Sequence, residues 1–270
     1  MSKLGVLIAV IAFLMEIPKR EERAKAEKQR TQFEYWQVID AAASAGTSTS
    51  YARKIALENL TKEGVSLRNI DASKAELRQI NLEGADLVGA NLREADLTNA
   101  RLDRADLSKA SLDRVRLYGS SLLDAMLDST DLREALYDDK TSFPQGFQPE
   151  KIGAYRIAPG TSLPRVKLSN AILWSVNLQG ANLQDANFSE ARFHGSLLQN
   201  ANFQGANLQG AKFRSANLEG ANLRHANIKE ANFWDVKGLT IEQVKSAQNW
   251  EEATYSPRLC IELGLNNRKE

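Results

Sequence analysis

The chain has 270 residues, enough for one or two domains, and its 35 basic and 34 acidic residues leave a net charge of +1. So balanced a chain has no global field to draw it to nucleic acid, and too little acidity to imitate one. The single Cys260 excludes an internal disulfide framework and a cysteine metal cluster, and reads as a free structural thiol.

Leu4 to Met15 is an apolar run of twelve residues, followed by Glu16, Ile17 and Pro18. As a helix it spans about 20 Å, short of a hydrocarbon core of about 30 Å. It lacks a small-residue cleavage site, which argues against a cleaved signal peptide. Lys19 to Arg30 carries six positive and three negative charges, a flank that keeps that side cytoplasmic. Residues 1–18 are therefore read as a short membrane anchor or interfacial segment, with membrane contact through residues 4–17. The alternatives are an amphipathic helix packed on the body, or a true start further upstream.

Residues 19–64 read as a helical linker and N-terminal cap. A helix from Lys19 to about Ala45 is charged first and then apolar at Phe33, Trp36 and Ile39. Gly46 to Ser50 is a loop with N-cap candidates. Tyr51 to Leu60 is a second helix, ended by Gly64. It is expected to cover the first coil of the residue 65–137 run, because an uncapped β-solenoid exposes unpaired strand edges.

From residue 65 a five-residue period takes over, and it outranks local propensity as evidence. It is cleanest from Leu178 to Phe233, where Leu, Phe or once Ile stands at every fifth position and a small residue, nearly always Ala, two places before. On an α-helix such residues spiral over every face, and on a flat strand they alternate sides. They share one interior only if the chain turns a corner at each repeat. With corners near a right angle, four repeats close one square coil, and coils stack at about 4.8 Å. The large residue then fills the axis, and Ala is needed because a second large inward residue does not fit at close packing.

Ala85-Asp-Leu87, Ala90-Asn-Leu92, Ala95-Asp-Leu97 and Ala181-Asn-Leu183 to Ala186-Asn-Phe188 resemble the pentapeptide-repeat family, and the resemblance covers about residues 65–237. It implies an all-β solenoid, a right-handed quadrilateral β-helix, of the bacterial type with α-helical N- and C-terminal caps. The handedness comes from the resemblance alone.

The first run spans residues 65–137, its centres Leu except at Ala72 and Tyr137. Tyr137 to Leu163 is 26 residues, not a multiple of five, so residues 138–162 interrupt the register. Phe143-Pro144-Gln-Gly146-Phe147 marks a turn-rich loop whose aromatics fold back onto the body. The second run covers 163–237, resuming at Leu163 or Leu168. In the C-terminal cap, 238–270, Thr240 to Gln243 is a capping-box start with Val244, Ala247 and Trp250 on one helical face. Ser256-Pro257 opens a second helix that Leu259, Leu263 and Gly264 close.

Twenty-residue spacing assigns side chains to columns. Leu67, Leu87, Leu107 and Leu127 form one core column, and Phe193, Phe213 and Phe233 form another. Outside, Lys74, Glu94, Arg114 and Glu134 alternate in sign, as do Arg93, Asp113 and Arg133, which suits lateral pairing rather than a catalytic carboxylate dyad. His194 and His225 fall on opposite sides and share no metal. No nucleophile elbow, phosphate loop or Cys pair is present, so no catalytic residue, metal or cofactor is expected. One outward column is unusual: Trp174, His194, Arg214 and Trp234, flanked by Arg192 and Lys212. Exposed aromatics interleaved with bases bind partners by stacking and Coulomb attraction; the alternative is intramolecular, the column stacking on itself with Trp234 under the C-terminal cap.

The expected function is non-catalytic binding or scaffolding of a protein partner through rigid outer faces, on the cytoplasmic side of a membrane, as a monomer or a dimer. The alternative that the resemblance implies is a gyrase-directed, DNA-mimicking role, which needs a strongly acidic surface. Residues 64–138 hold ten bases and fourteen acids, net −4, whereas residues 161–237 hold eight bases and five acids, net +3.

Overall fold

The structure, a computed structural model, describes residues 3–45 and 51–265. The chain forms two compact units: Met1–Ala135 with Thr141–Gln148, and Leu136–Lys140 with Pro149–Glu270. The expected loop 46–50 lies outside the described residues.

In unit 1, helix α1 runs Lys3–Ser44 and continues through Pro18, where the sequence suggested a boundary. Its packed stripe holds Ile39 and Ala42, both buried, while Phe33 is 62% exposed. Phe33 lies six residues from Ile39, about 120° round the helix from it. Helix α2 (Tyr51–Lys62) buries Arg53, Ala56, Leu57 and Leu60. Its polar residues meet backbone groups of the first coil: Arg53 donates to the Asp71 carbonyl, Lys54 Nζ to the Arg78 carbonyl at 2.8 Å, and Glu58 accepts the Asn81 N–H at 3.0 Å. Those groups have no preceding coil to pair with, so the helix supplies the partners that backbone polarity demands.

The coils then repeat every twenty residues. Asp71, Asn91, Ser111 and Asp131 pair in parallel, as do Asp86, Asp106 and Met126. Leu87 N donates to the Asp106 carbonyl at 2.8 Å, and Asp106 N to the Ala85 carbonyl at 2.9 Å. Each corner is a turn with its third residue at positive φ, for instance Asn69 at 56° and Gly84 at 68°. Asn and Asp before the central residue close it: Asn91 Oδ1 accepts the Arg93 N–H at 3.2 Å, and Asp96 Oδ1 the Thr98 N–H at 3.0 Å. At some corners glycine leaves room for a neighbouring side chain. A Cβ at Gly89 would sit 2.4 Å from Asn69 Oδ1, and one at Gly205 2.3 Å from Asp185 Oδ1, so a polar side chain one coil earlier lies over each.

The insertion shifts the pairing and keeps the coils. In unit 1, Ser142 pairs with Ser121, a step of twenty-one residues, and Phe143 stacks on Phe147 at 5.6 Å. In unit 2, β1 (Leu136–Tyr137) pairs in parallel with β2 (Tyr155–Arg156), a step of nineteen, before Ser162–Asn182 restores twenty. Tyr137 donates its hydroxyl to Glu150, and Arg156 meets Asp139 at 2.6 Å. Burial, then the Glu150 bond, pushes the Tyr137 hydroxyl above its ordinary range.

Phe193, Phe213 and Phe233 stack at 5.0 Å spacing with rings within 4° of parallel. The stack does not end there. Strand β4 (Thr254–Tyr255) pairs with β3 (Asn232–Phe233), and the Tyr255 ring lies 5.7 Å above Phe233. In unit 1 the equivalent Leu67, Leu87 and Leu107 are fully buried, and Leu127 is half-buried.

The C-terminal cap has α3 (Ile241–Lys245) with a complete capping box between Thr240 and Gln243. Gln243 Nε2 also donates to the Leu218 and Ala221 carbonyls at 3.0 and 2.7 Å, covering a coil end. Trp250 corrects the sequence reading. It starts a 3-10 turn, Trp250–Glu252, after a left-handed Asn249, and so does not share a face with Val244. The last helix, α4 (Pro257–Leu263), has Pro at its start and Gly264 at φ 78° at its end, and the Ser256 side chain makes no capping bond.

Candidate functional site

The clearest candidate is one side of unit 2. Parallel pairing places Ile172, Arg192, Lys212 and Asn232 in one column. Beside it, backbone bonds from Ser175 N to the His194 carbonyl (2.9 Å), Gly195 N to the Arg214 carbonyl (3.0 Å) and Ser215 N to the Trp234 carbonyl (3.4 Å) set Trp174, His194, Arg214 and Trp234 one coil apart. Each follows a buried Leu or Phe at 173, 193, 213 and 233, so the backbone alternation that sends the ring inward sends this column outward.

Trp174 is 47% exposed and Trp234 38%, so the cap does not cover Trp234. Trp174 meets the His194 ring edge-on at 6.3 Å. Among the described residues no cation–π contact joins Arg214 to a tryptophan, and Arg192, Lys212 and Arg214 form no ion pair within 4 Å. The acid nearest in register, Asp235, instead accepts the Ser215 hydroxyl at 2.7 Å. The side therefore presents three unneutralised cations between two partly bare indoles.

His194 reports the field of that face. Burial first, then Arg192, Lys212 and Arg214, holds its imidazole below the ordinary histidine range. Its Nδ1 is buried without a hydrogen-bond partner. The ring is therefore neutral at physiological pH. His225 lies elsewhere, at a corner whose N–H donates to the Ser246 carbonyl at 2.9 Å.

Unit 1 pairs many of its outward charges with one another. Glu94 lies 4.0 Å from Lys74 and 3.8 Å from Arg114, and Arg114 pairs with Glu134 at 2.8 Å. Arg93 pairs with Asp113 at 3.0 Å, but Arg133 departs from its expected column and forks onto Asp131. Asp131, two residues back in the same coil, takes the guanidinium on both oxygens, at 2.9 and 2.7 Å.

Sequence reasoning overlooked a second group. Leu123 and Met126 are 50% and 49% exposed, beside Asp124 and Asp128. The signal was present: both apolar residues stand at outward positions of the repeat, where Asn, Asp, Ser or a charged residue is usual. Leu197, exposed on another side of unit 2, carries the same mark.

The sequence model described as pentapeptide repeats matches residues 63–99, 100–136, 161–200 and 196–235, in eight copies. The chain belongs to the pentapeptide-repeat family. No curated protein matches the chain. Three solved structures are among those similar to the chain, the first two of them pentapeptide-repeat proteins. HetL of the cyanobacterium Nostoc, involved in heterocyst differentiation regulation, is 25% identical, with 71% of this chain and 85% of that one covered and a TM-score of 0.26. A thylakoid-lumen protein of Arabidopsis thaliana is 21% identical over 58% and 73%, with a TM-score of 0.24. QnrB1, a plasmid-mediated fluoroquinolone resistance protein, is 18% identical over 75% and 85%, with a TM-score of 0.19. Membership of the pentapeptide-repeat family rests on the repeat matches.

Proposed function

We propose that this pentapeptide-repeat protein is a non-catalytic binding or scaffolding protein, and that the Trp174/His194/Arg214/Trp234 side of unit 2 is its recognition face, taking an acidic protein surface. One observation carries the reading: Arg192, Lys212 and Arg214 stand together without an ion pair among the described residues, whereas the Lys74–Glu94–Arg114–Glu134 ladder and the Arg93–Asp113 pair of the other unit meet one another. Cations on a paired backbone leave only their own side chains to be ordered when a partner binds, and tryptophan and arginine are prominent among the side chains that dominate protein interfaces.

The test separates binding from folding. The double variant Trp174→Ser with Arg214→Gln keeps the melting curve of the parent and loses retention on immobilised polyglutamate, together with the partner recovered from native extracts. Early unfolding of the variant, or undiminished retention, overturns the assignment.

We also propose that residues 4–17 hold the chain to the cytoplasmic face of a membrane as an interfacial segment. No helix among the described residues is long and apolar enough to cross a membrane, and the apolar run with its basic flank suits a surface position. The full chain should pellet with membranes while a chain starting at Lys19 stays in the supernatant. Identical fractionation at moderate and high salt overturns this. The gyrase-directed alternative is served poorly by a net +3 over residues 161–237; inhibition of supercoiling at stoichiometric protein would favour it instead.

A further inference from the structure

The basic face of unit 2 has a counterpart of opposite sign in unit 1. Met126 pairs in register with Asp106, one coil earlier. Asp124 and Asp128 stand on either side of Met126, both exposed, and Leu123 adjoins Asp124. Asp106, Asp124 and Asp128 form no ion pair among the described residues, unlike Glu83, Glu94, Asp96, Asp113 and Glu134 of the same unit. The patch is also rigidly held. Leu123 N donates to Asp103 Oδ1 at 3.0 Å, Met126 N to the Ala105 carbonyl at 2.9 Å, and the Asp128 carbonyl accepts the Lys109 N–H at 2.8 Å.

Each patch therefore holds two large, half-exposed apolar side chains beside three like charges that form no ion pair among the described residues, and the signs are opposite. We propose that the Trp174/Arg192/Lys212/Arg214/Trp234 face of one chain takes the Leu123–Asp128 patch of a second copy, so that the protein self-associates. This rests on the reading of that face as a recognition surface and names its occupant. The chemistry matches at each point. A methionine thioether and a leucine laid against indole rings make favourable sulfur–aromatic and apolar contacts. Three carboxylates facing three cations remove the like-charge repulsion that each surface carries alone, and such complementarity sets partner choice more than raw affinity.

Sedimentation velocity on the full chain tests it, with two variants and their mixture. Asp124→Lys with Asp128→Lys makes the acidic patch basic, and Arg192→Glu with Lys212→Glu makes the basic face acidic. The parent should associate at low salt and weaken at least tenfold near 1 M salt, where screening is short-ranged. Each variant alone should be at least tenfold weaker than the parent, and their equimolar mixture should recover association, because each then offers what the other lacks. Unchanged thermal melts show that the variants fold. Association that survives in both separate variants places the contact elsewhere and overturns the proposal, as does a mixture that stays apart. A parent that is monomeric at all salts but binds polyglutamate overturns self-association and leaves the recognition face standing. Failure of both removes the face as well.

Discussion

Units 1 and 2 build the same coil with different side chains, and the contrast separates what a twenty-residue coil requires from what it tolerates. Both carry a large apolar residue at nearly every fifth position and, most often, Ala two before it. Unit 1 fills its axis with leucine, which has no directional preference. Unit 2 stacks Phe193, Phe213 and Phe233 ring on ring, with Phe203 edge-on to Phe193 at 6.0 Å. Outside, unit 1 favours Asp at the corner-closing position and unit 2 Asn. An amide carries both donor and acceptor, so identical Asn side chains pair along the axis. Asn222 Nδ2 donates to Asn202 Oδ1 at 2.9 Å, and Asn227 Nδ2 to Asn207 Oδ1 at 3.2 Å. A carboxylate is acceptor only. Asp86 stands in register with Asp106, and it draws on Arg68 and Ser66, each at 2.7 Å. The amide ladder is indifferent to pH and salt, and the ionic one is not.

The largest expected effect is in the ring stack. Phe213→Ala removes a ring with neighbours on both sides and should destabilise the protein by about 3–5 kcal/mol in denaturant melts, as core aromatic truncations do. A loss below about 1 kcal/mol would mean that the Phe column does not carry the core of unit 2.

Acid should separate the two outer ladders next. Asp96 is buried between Arg116 at 3.1 Å and Arg78 at 3.7 Å. Its burial alone would raise its carboxyl, but Arg116 and the Thr98 hydrogen bonds prevail and hold it below the ordinary range. Hydrogen bonds do the same for Asp71 and Asp86 against their burial. A carboxylate depressed in the fold contributes stability above its unfolded pKa, near 3.9, which is lost as pH falls through the folded value. Asp96→Asn should therefore lower stability at neutral pH and flatten its decline below about pH 4. An unaltered acid slope in that variant counts against the pairing.

The amide ladder is tested by Asn202→Asp. The change keeps the acceptor for the Gln204 N–H and removes the donor that reaches Asn182 Oδ1 at 3.4 Å. It should cost about 0.5–1.5 kcal/mol, the net worth of one hydrogen bond. Equal stability at all pH values would show that the ladder contributes nothing to unit 2.

The smallest effect is the most local. His194 should titrate below the ordinary histidine value in NMR spectra, and Lys212→Gln should move it upward by removing one of the neighbouring charges. Because the fold favours the neutral ring, its contribution is complete above the unfolded pKa near 6.5 and declines as pH falls from there. A His194 titration unmoved by Lys212→Gln would mean that the face carries no concentrated field.

Much of this was legible because a fixed period turns sequence distance into spatial distance. Five residues per side and twenty per coil place the Phe column, the Lys74–Glu94–Arg114–Glu134 ladder and the Trp174/His194/Arg214/Trp234 column from spacing alone. The period also exposes its own exceptions, since Leu123, Met126 and Leu197 stand where polar residues are usual. What the period does not encode, the tertiary structure decided. Pairing steps of twenty-one and then nineteen residues accommodate the insertion, because backbone hydrogen bonds tolerate a one-residue offset that no repeat count reveals. Tyr255 joins the Phe stack through a strand outside the repeats, found only by where the cap folds. Arg133 turns to Asp131 in its own coil because a flexible side chain is not bound to the column its backbone assigns it. His194 loses its basicity through burial against its neighbours, and burial belongs to the packed coil rather than to any one residue.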